Sequence, residues 1–203
     1  MIELLVCYKP DSEKRKRNKK RFLEYWKDWN VTLLEDYNER APAFNEAAKK
    51  SSSEFIALTD IDAMVPYEQM QTLGDVTYPY SQIYNIDEDN GIGKSWGRYW
   101  RYGLMIIFNR EKFLEFGGEN EEFRGYGWDD LERYFRALNY GLSVRQVEGP
   151  AYHMEHDELN HKRHQSLNPH YMKNWQLMQR ERFKYEIGSL VGNNSNDVDS
   201  LFK

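Results

Sequence analysis

The hydrophobic positions of this chain fall into short β-like runs separated by stretches of helical spacing. Ile2 to Tyr8 is apolar apart from Glu3 and predicts a buried first strand. Pro10-Asp11-Ser12 then offers a turn and a helix cap, and Phe22, Leu23, Trp26 and Trp29 recur at helical spacing through Glu13 to Trp29. A second short strand is predicted over Val31 to Glu35, a helix over Pro42 to Lys50 with its proline in the first turn, and a third strand over Glu54 to Thr59. This β-α-β-α-β order implies a parallel sheet wound with helices, and ligands of such sheets bind beyond the carboxyl ends of the strands. Asp36 and Asp60 stand at two of those ends.

Further along, Tyr67 to Leu73 predicts a short helix, and Val76 to Ile86 a strand interrupted by Pro79. Asp87 to Arg98 is polar, with Gly91, Gly93 and Gly97 around Trp96, and predicts a mobile loop carrying one aromatic ring. A strand over Tyr102 to Phe108, a helix over Arg110 to Phe116, a helix over Asp129 to Tyr140 stopped by Gly141, and a last strand over Leu142 to Val147 follow. Pro169 to Ile187 predicts a final helix. Residues 1–190 are expected to form one domain, and residues 191–203, rich in Asn, Ser and Asp, a flexible tail.

Composition narrows the classes. A net charge of -5 gives no global reason to expect polyanion binding. Six Trp, fifteen Tyr and ten Phe exceed what a plain scaffold needs and suit a pocket for sugar or base rings. The single cysteine, Cys7, excludes an internal disulfide and suits a reducing compartment. No apolar run is long enough to span a bilayer, and the amino terminus lacks the signature of a signal peptide, so a cytoplasmic protein is expected. The basic run from Lys14 to Arg21 reads first as a solvated helix face and second as a contact for phosphate groups of a substrate or nucleic acid.

Three constellations carry chemistry. In Thr59-Asp60-Ile61-Asp62, alternate residues of an extended segment point the same way. Two such carboxylates can hold one hard cation, or one can hold the cation and the other a ribose hydroxyl; oxygen ligands suit Mg²⁺ or Mn²⁺. All five histidines fall between His153 and His170. One of His153 and His156 completing a cation site with Asp62 would favour Mn²⁺; a closed zinc site built from the His-x-x-His pairs lacks a supporting cysteine. In Gly125-Tyr126-Gly127-Trp128-Asp129-Asp130, the two acids begin a helix, where the dipole favours negative charge. Capping accounts for one of them but not for the glycines and rings ahead. Those rings suit stacking on a pyranose, while one carboxylate deprotonates an acceptor hydroxyl and its neighbour holds the acceptor.

In order and spacing these blocks resemble GT-A fold glycosyltransferases, most closely the β-1,4-galactosyltransferase and chondroitin polymerase type. Phe44-Asn45-Glu46-Ala47 is similar to that family's Phe-Asn-Arg-Ala block, and Phe55 to Pro66 to its strand leading into an Asp-x-Asp motif. Tyr102 through Gly118 resembles its Gly-rich strand, helix and turn. Gly125 to Asp130 resembles its Gly-Trp-Gly-Gly-Glu-Asp segment, and Ala151-Tyr152-His153 with Asp157 and Asn160 its metal-histidine block. The resemblance spans roughly residues 36 to 160. It departs at Glu46, where the family has arginine, and at the acid pair, which is Asp-Asp here.

The resemblance implies an α/β, GT-A (Rossmann-like) fold with a mixed, mainly parallel sheet flanked by helices. It implies inverting transfer from a UDP-sugar to a saccharide or glycoconjugate hydroxyl, assisted by Mn²⁺ or Mg²⁺. Asp62 and His153 would bind the metal, with Asp60 and His156 as further candidates. Tyr8, Asp36, Asn45 and Asp60 would lie by the donor, with Trp96 closing over it. Asp130 would be the base, and Tyr126, Gly127, Trp128 and Asp129 would meet the acceptor. Lacking the membrane anchor and stem of the animal enzymes, the chain would suit a bacterial or viral source. Three rivals remain: a glycosyltransferase acting on modified DNA bases, supported by the basic run alone; a two-metal nuclease using Asp60, Asp62, Asp129 and Asp130; and a non-catalytic sugar-binding module.

Overall fold

The computed structural model describes residues 1–35, 37–87, 91–95, 102–125, 127–156 and 168–191. The opening β-α-β-α-β unit forms as the apolar pattern dictates. It comprises β1 (Ile2–Cys7), α1 (Glu13–Tyr25), β2 (Asn30–Leu34), α2 (Arg40–Lys50) and β3 (Phe55–Asp60). Strand β1 is buried along its whole length and pairs in parallel with β2 on one side and β3 on the other. Cys7 therefore sits in register with Leu34 and Asp60, and the three strand ends open at one edge. Helix α1 starts where Ser12 accepts a hydrogen bond from the Arg15 amide. It ends at Tyr25, with Trp26 as its cap, short of the predicted Trp29.

Beyond β3 the chain departs from a purely parallel plan. The segment expected as one strand over Val76 to Ile86 is two, β5 (Val76–Tyr78) and β6 (Gln82–Asp87), which belong to different sheets. Pro79 lies in the gap, and without an amide hydrogen it cannot continue a ladder. The first sheet has the order β2-β1-β3-β8-β5-β9, with β8 (Met105–Asn109) antiparallel to both neighbours and β9 (Val144–Gln146) parallel to β5. Phe22 and Trp26 of α1 pack on one face of this sheet, and Phe44 of α2, Phe113 of α3 (Arg110–Glu115) and Phe135 of α4 (Asp129–Tyr140) on the other.

A second sheet was not foreseen. Its order is β4-β10-β6-β7, where β4 is Ala63–Met64, β7 is Gly91–Ser95 and β10 is Pro150–Met154. Two expectations are corrected by it. Part of the supposed mobile loop, 91–95, is a strand paired antiparallel with β6, and the chain has a further strand after β9. The expected helix over Tyr67 to Leu73 is a single 3-10 turn, Tyr67–Gln69. The buried Gln69 amide is committed to the carbonyls of Pro79 and Pro150, which holds that turn against the second sheet. The last helix, α5 (Tyr171–Val191), packs along α4 and runs four residues past the predicted Ile187. No helix among the described residues is long and apolar enough to cross a membrane.

Candidate active site

The cation corner is made by the second sheet. Asp62 lies between the end of β3 and β4; β4 pairs antiparallel with β10, setting His153 opposite Ala63. The Met154 amide donates to the Asp62 carbonyl at 2.8 Å. This pairing brings Nε2 of His153 to 3.9 Å and Nε2 of His156 to 3.1 Å from Oδ2 of Asp62. One ligand atom from each of the three residues lies within 4.8 Å of the others. Asp62 is 2% exposed, and burial pushes its carboxyl above the usual range, opposed chiefly by His156. A buried carboxylate facing two imidazoles is a donor set that fits Mn²⁺ or a similar divalent ion, and such an ion would compensate the buried charge.

The neighbours separate the two histidines. His153 pairs in register with Asn85 on β6, and Nδ1 lies 3.2 Å from the Asn85 Oδ1 acceptor. In the tautomer that donates from Nδ1 to Asn85, Nε2 is left as a ligand atom for a cation held between it and Asp62. Nδ1 of His156 faces Nη2 of Arg15 at 3.4 Å, and a guanidinium can only donate. His156 therefore carries its proton on Nε2 and gives it to Asp62. Helix α1 fixes this segment further: Ser12 Oγ donates to the His156 carbonyl, and Asn18 Nδ2 to those of Met154 and Glu155. The basic run is thus partly a wall of the site. Lys16 and Lys19 pair with Glu13 and Glu35.

The second corner is the entrance of α4. The chain enters through glycines at φ +63° (Gly125) and +107° (Gly127), then through Trp128, a non-glycine residue at φ +73°. A Cβ on Gly127 would meet the Tyr171 ring at 3.0 Å, so the glycine is needed twice over. Trp128 packs half-buried against Tyr171 and the core. The turn is held from three sides. Glu39 accepts from the Gly125 amide, Asn168 and Asn174 donate to the Arg124 carbonyl, and Asn45 binds the Glu119 backbone with both ends of its amide.

Asp129 and Asp130 follow, each with about a quarter of its side chain exposed (23% and 29%). Desolvation, reinforced by Asp129 and opposed by Arg133 and Arg40, raises the Asp130 carboxyl to about 7. Its Oδ1 lies 3.3 Å from Nη2 of Arg133 yet makes no hydrogen bond of good geometry. Arg133 is itself clamped by Glu119 through two bonds of 2.6 and 2.8 Å. The backbone of Gly103 closes the other side, where a Cβ would stand 2.6 Å from Asp130 Oδ2. A carboxylate with an uncommitted oxygen and a proton affinity near neutrality has the properties of a general base.

Arg40 joins the corners, and the sequence reading passed it over. On the first turn of α2, its guanidinium reaches Asp60 Oδ2 at 3.2 Å and Asp129 Oδ2 at 3.7 Å. Asp60 is thus tied to Arg40 and stands outside the Asp62–His153–His156 cluster. Tyr8 lies buried at the end of β1 with Lys19 over its ring. Asn45, expected by the donor, is buried and spends its amide on Glu119 and Glu121. Asp36, Trp96, Tyr126, Asp157, Asn160 and the 192–203 tail lie outside the described residues. Beside Asp129, a small pocket of about 20 Å³, room for roughly one water, lies between Arg40 and Phe44 of α2 and Phe123 and Glu132.

A family profile for the N-terminal domain of galactosyltransferase matches residues 94–163. No curated protein sequence matches the chain. Among solved structures, the catalytic domain of Drosophila beta1,4-galactosyltransferase 7, in complex with xylobiose, is similar with 20% identity and a TM-score of 0.51. That match covers 71% of this chain and 63% of that one. A mannosyltransferase from Pyrobaculum calidifontis, in complex with GDP-Man and Mn²⁺, is similar with 12% identity and a TM-score of 0.50, covering 94% of this chain and 75% of that one. The fold is that of the GT-A glycosyltransferases. The chain spans under two thirds of the galactosyltransferase domain's length.

Proposed function

We propose that this chain, which has a GT-A fold and is similar to galactosyltransferases, moves a sugar from a nucleotide-sugar donor, a UDP-sugar, to a hydroxyl of a saccharide or glycoconjugate, inverting the anomeric centre. The observation that carries the proposal is the Asp130 carboxyl. It is raised to about 7, and its neighbour Asp129 shares Arg40 with Asp60, which lies two residues before the Asp62 of a carboxylate-imidazole cluster suited to a divalent ion. In this reading Asp130 takes the proton of the acceptor hydroxyl. The acceptor oxygen then bonds to the anomeric carbon as the bond from that carbon to the diphosphate breaks. Both electrons of the broken bond leave with the nucleoside diphosphate. Bound at Asp62 and His153, Mn²⁺ would supply charge neutralisation for that leaving group. Asp129 would hold the acceptor.

The nuclease reading is less well supported. It needs Asp60 and Asp129 to share cations, and a guanidinium stands between them. A basic surface for duplex DNA is likewise disfavoured, because Arg15, Lys16 and Lys19 are engaged within the chain. A thermal-shift screen of UDP-sugars and GDP-mannose, with and without Mn²⁺, tests the proposal. Stabilisation by one nucleotide sugar only when Mn²⁺ is present is expected, about 2.7 kcal/mol at a hundredfold excess over Kd. A melting curve that no nucleotide moves would overturn it. NMR of the product tests inversion separately: an α-linked product from an α-linked donor sinks that step.

A further inference from the structure

We infer that Arg40 is a positioning residue of the transfer site, its one guanidinium holding acceptor-side Asp129 to donor-side Asp60 and so placing Asp130. Folding gives little reason for an arginine here. Arg40 occupies the first turn of α2, where the helix dipole disfavours a cation. Its Nε is buried and finds no hydrogen-bond partner. The neighbouring cap tells the same story. Glu39, the N-cap of α2, makes no capping bond and gives its carboxylate to the Gly125 amide instead. Both residues that open α2 are thus committed to the entrance of α4.

The planar fork suits the task. Nη2 faces Asp60 and Nη1 faces Asp129, while the guanidinium carbon lies 5.7 Å over the Phe44 ring, which limits its swing. Asp60 is fixed by β3, and Asp129 begins the helix that carries Asp130. A cation gripping both sets the spacing between the donor end of the sheet and the base. The groups facing Arg40 are Cys7 of β1, Tyr37 ahead of α2, Asp60 of β3 with Asp62 just beyond it, and Asp129 and Asp130 of α4. Those facing Asp130 are Asp129 and Arg133 on its own helix, Arg40 of α2 and Asp60 of β3, with Tyr78 and Tyr80 behind it. Arg40 is one of the two cations in that set.

For its effect on turnover the assignment rests on the transfer reading above; its effect on the Asp130 proton does not. The test compares Arg40→Met and Arg40→Lys with the parent chain. The Asp130 carboxyl is titrated by ¹³C NMR, its resonance identified with Asp130→Asn. With methionine the titration should rise by about one pH unit. The acid limb of the kcat profile should rise with it, and kcat should fall about 10²-fold, as for a displaced reacting group. Lysine should restore the titration but only part of kcat, because a point charge cannot hold two carboxylates as a fork does. An unmoved Asp130 titration in Arg40→Met overturns the assignment. So does a loss confined to donor KM, which would make Arg40 a simple phosphate contact. If the parent chain transfers no sugar, the transfer reading fails while the titration still decides the role of Arg40. If Arg40→Met does not fold, the kcat of Arg40→Lys decides: full parental kcat overturns the assignment.

Discussion

At the scale of single residues, the site depends on how burial and neighbours set proton positions. Asp130 is the sharpest case. Its folded carboxyl titrates near 7, above its unfolded value, so between those two pH values the folded chain holds a proton that the unfolded chain releases. Its contribution to stability is present at acid pH and is lost as pH rises through about 7. Asp130→Asn should abolish that decline, seen as equal or greater stability in denaturant titrations at pH 8, while lowering kcat by about 10²–10⁴-fold. Parental kcat should rise with pH to a half-maximum near 7. A flat profile from pH 5 to 9 would remove Asp130 as the base. At the other corner, His153→Ala should abolish Mn²⁺-induced stabilisation, and Asn85→Ala, which frees the His153 tautomer, should weaken Mn²⁺ about 10–100-fold by calorimetry.

At the scale of elements, the functional groups stand at ends and entrances, and the contacts that hold those ends are testable apart from the chemistry. Gly103 precedes β8, and its backbone comes close enough to Asp130 that a methyl group would displace the carboxyl. The displaced atom ends a side chain, so Gly103→Ala should leave the melting temperature within a few degrees while kcat falls about 10²-fold. Parental kcat in that variant would show that Asp130 tolerates displacement. The Glu119–Arg133 pair is the opposite case. Its partners are 6% and 4% exposed, so Glu119→Ala takes away both well-formed bonds of a buried guanidinium and leaves it only Asp130 at 3.3 Å, which costs about 3 kcal/mol. In a chain of this size that should lower the melting temperature by about 10 °C in a thermal melt.

The sequence conveyed elements well where their signals are local. Ser12 and Gly141 mark helix ends, and β1, apolar apart from Glu3, reads as a buried strand. It did not convey the second sheet. Strands β4, β6, β7 and β10 are short and partly polar, and β10 finds its partners across long separations, as with His153 on Asn85 and Tyr152 on Met64. Period-two alternation cannot reveal such partners. Gly91 to Ser95 looked like a loop because glycine and polar residues carry little strand propensity, and only pairing with β6 makes it a strand.

At the scale of the whole molecule, two sheets meet at Asp62, and that meeting assembles the site. The first sheet gathers the ends of β1, β2 and β3, and the second delivers the histidines. The residues Asp60, Asp62, His153, Asp129 and Asp130 were legible as chemistry because their types and order are written in the chain, as was their resemblance to a sugar-transfer fold. Tertiary structure alone decided how they are shared out. It set both histidines on Asp62 but gave their other nitrogens different neighbours, Asn85 for His153 and Arg15 for His156. It took Asn45 for the turn at Glu119, removed Asp60 from the cation cluster, and put Arg40 between the acids. The physical reason is that residue type dictates what a group can do, while its proton, partner and charge depend on neighbours distant in sequence.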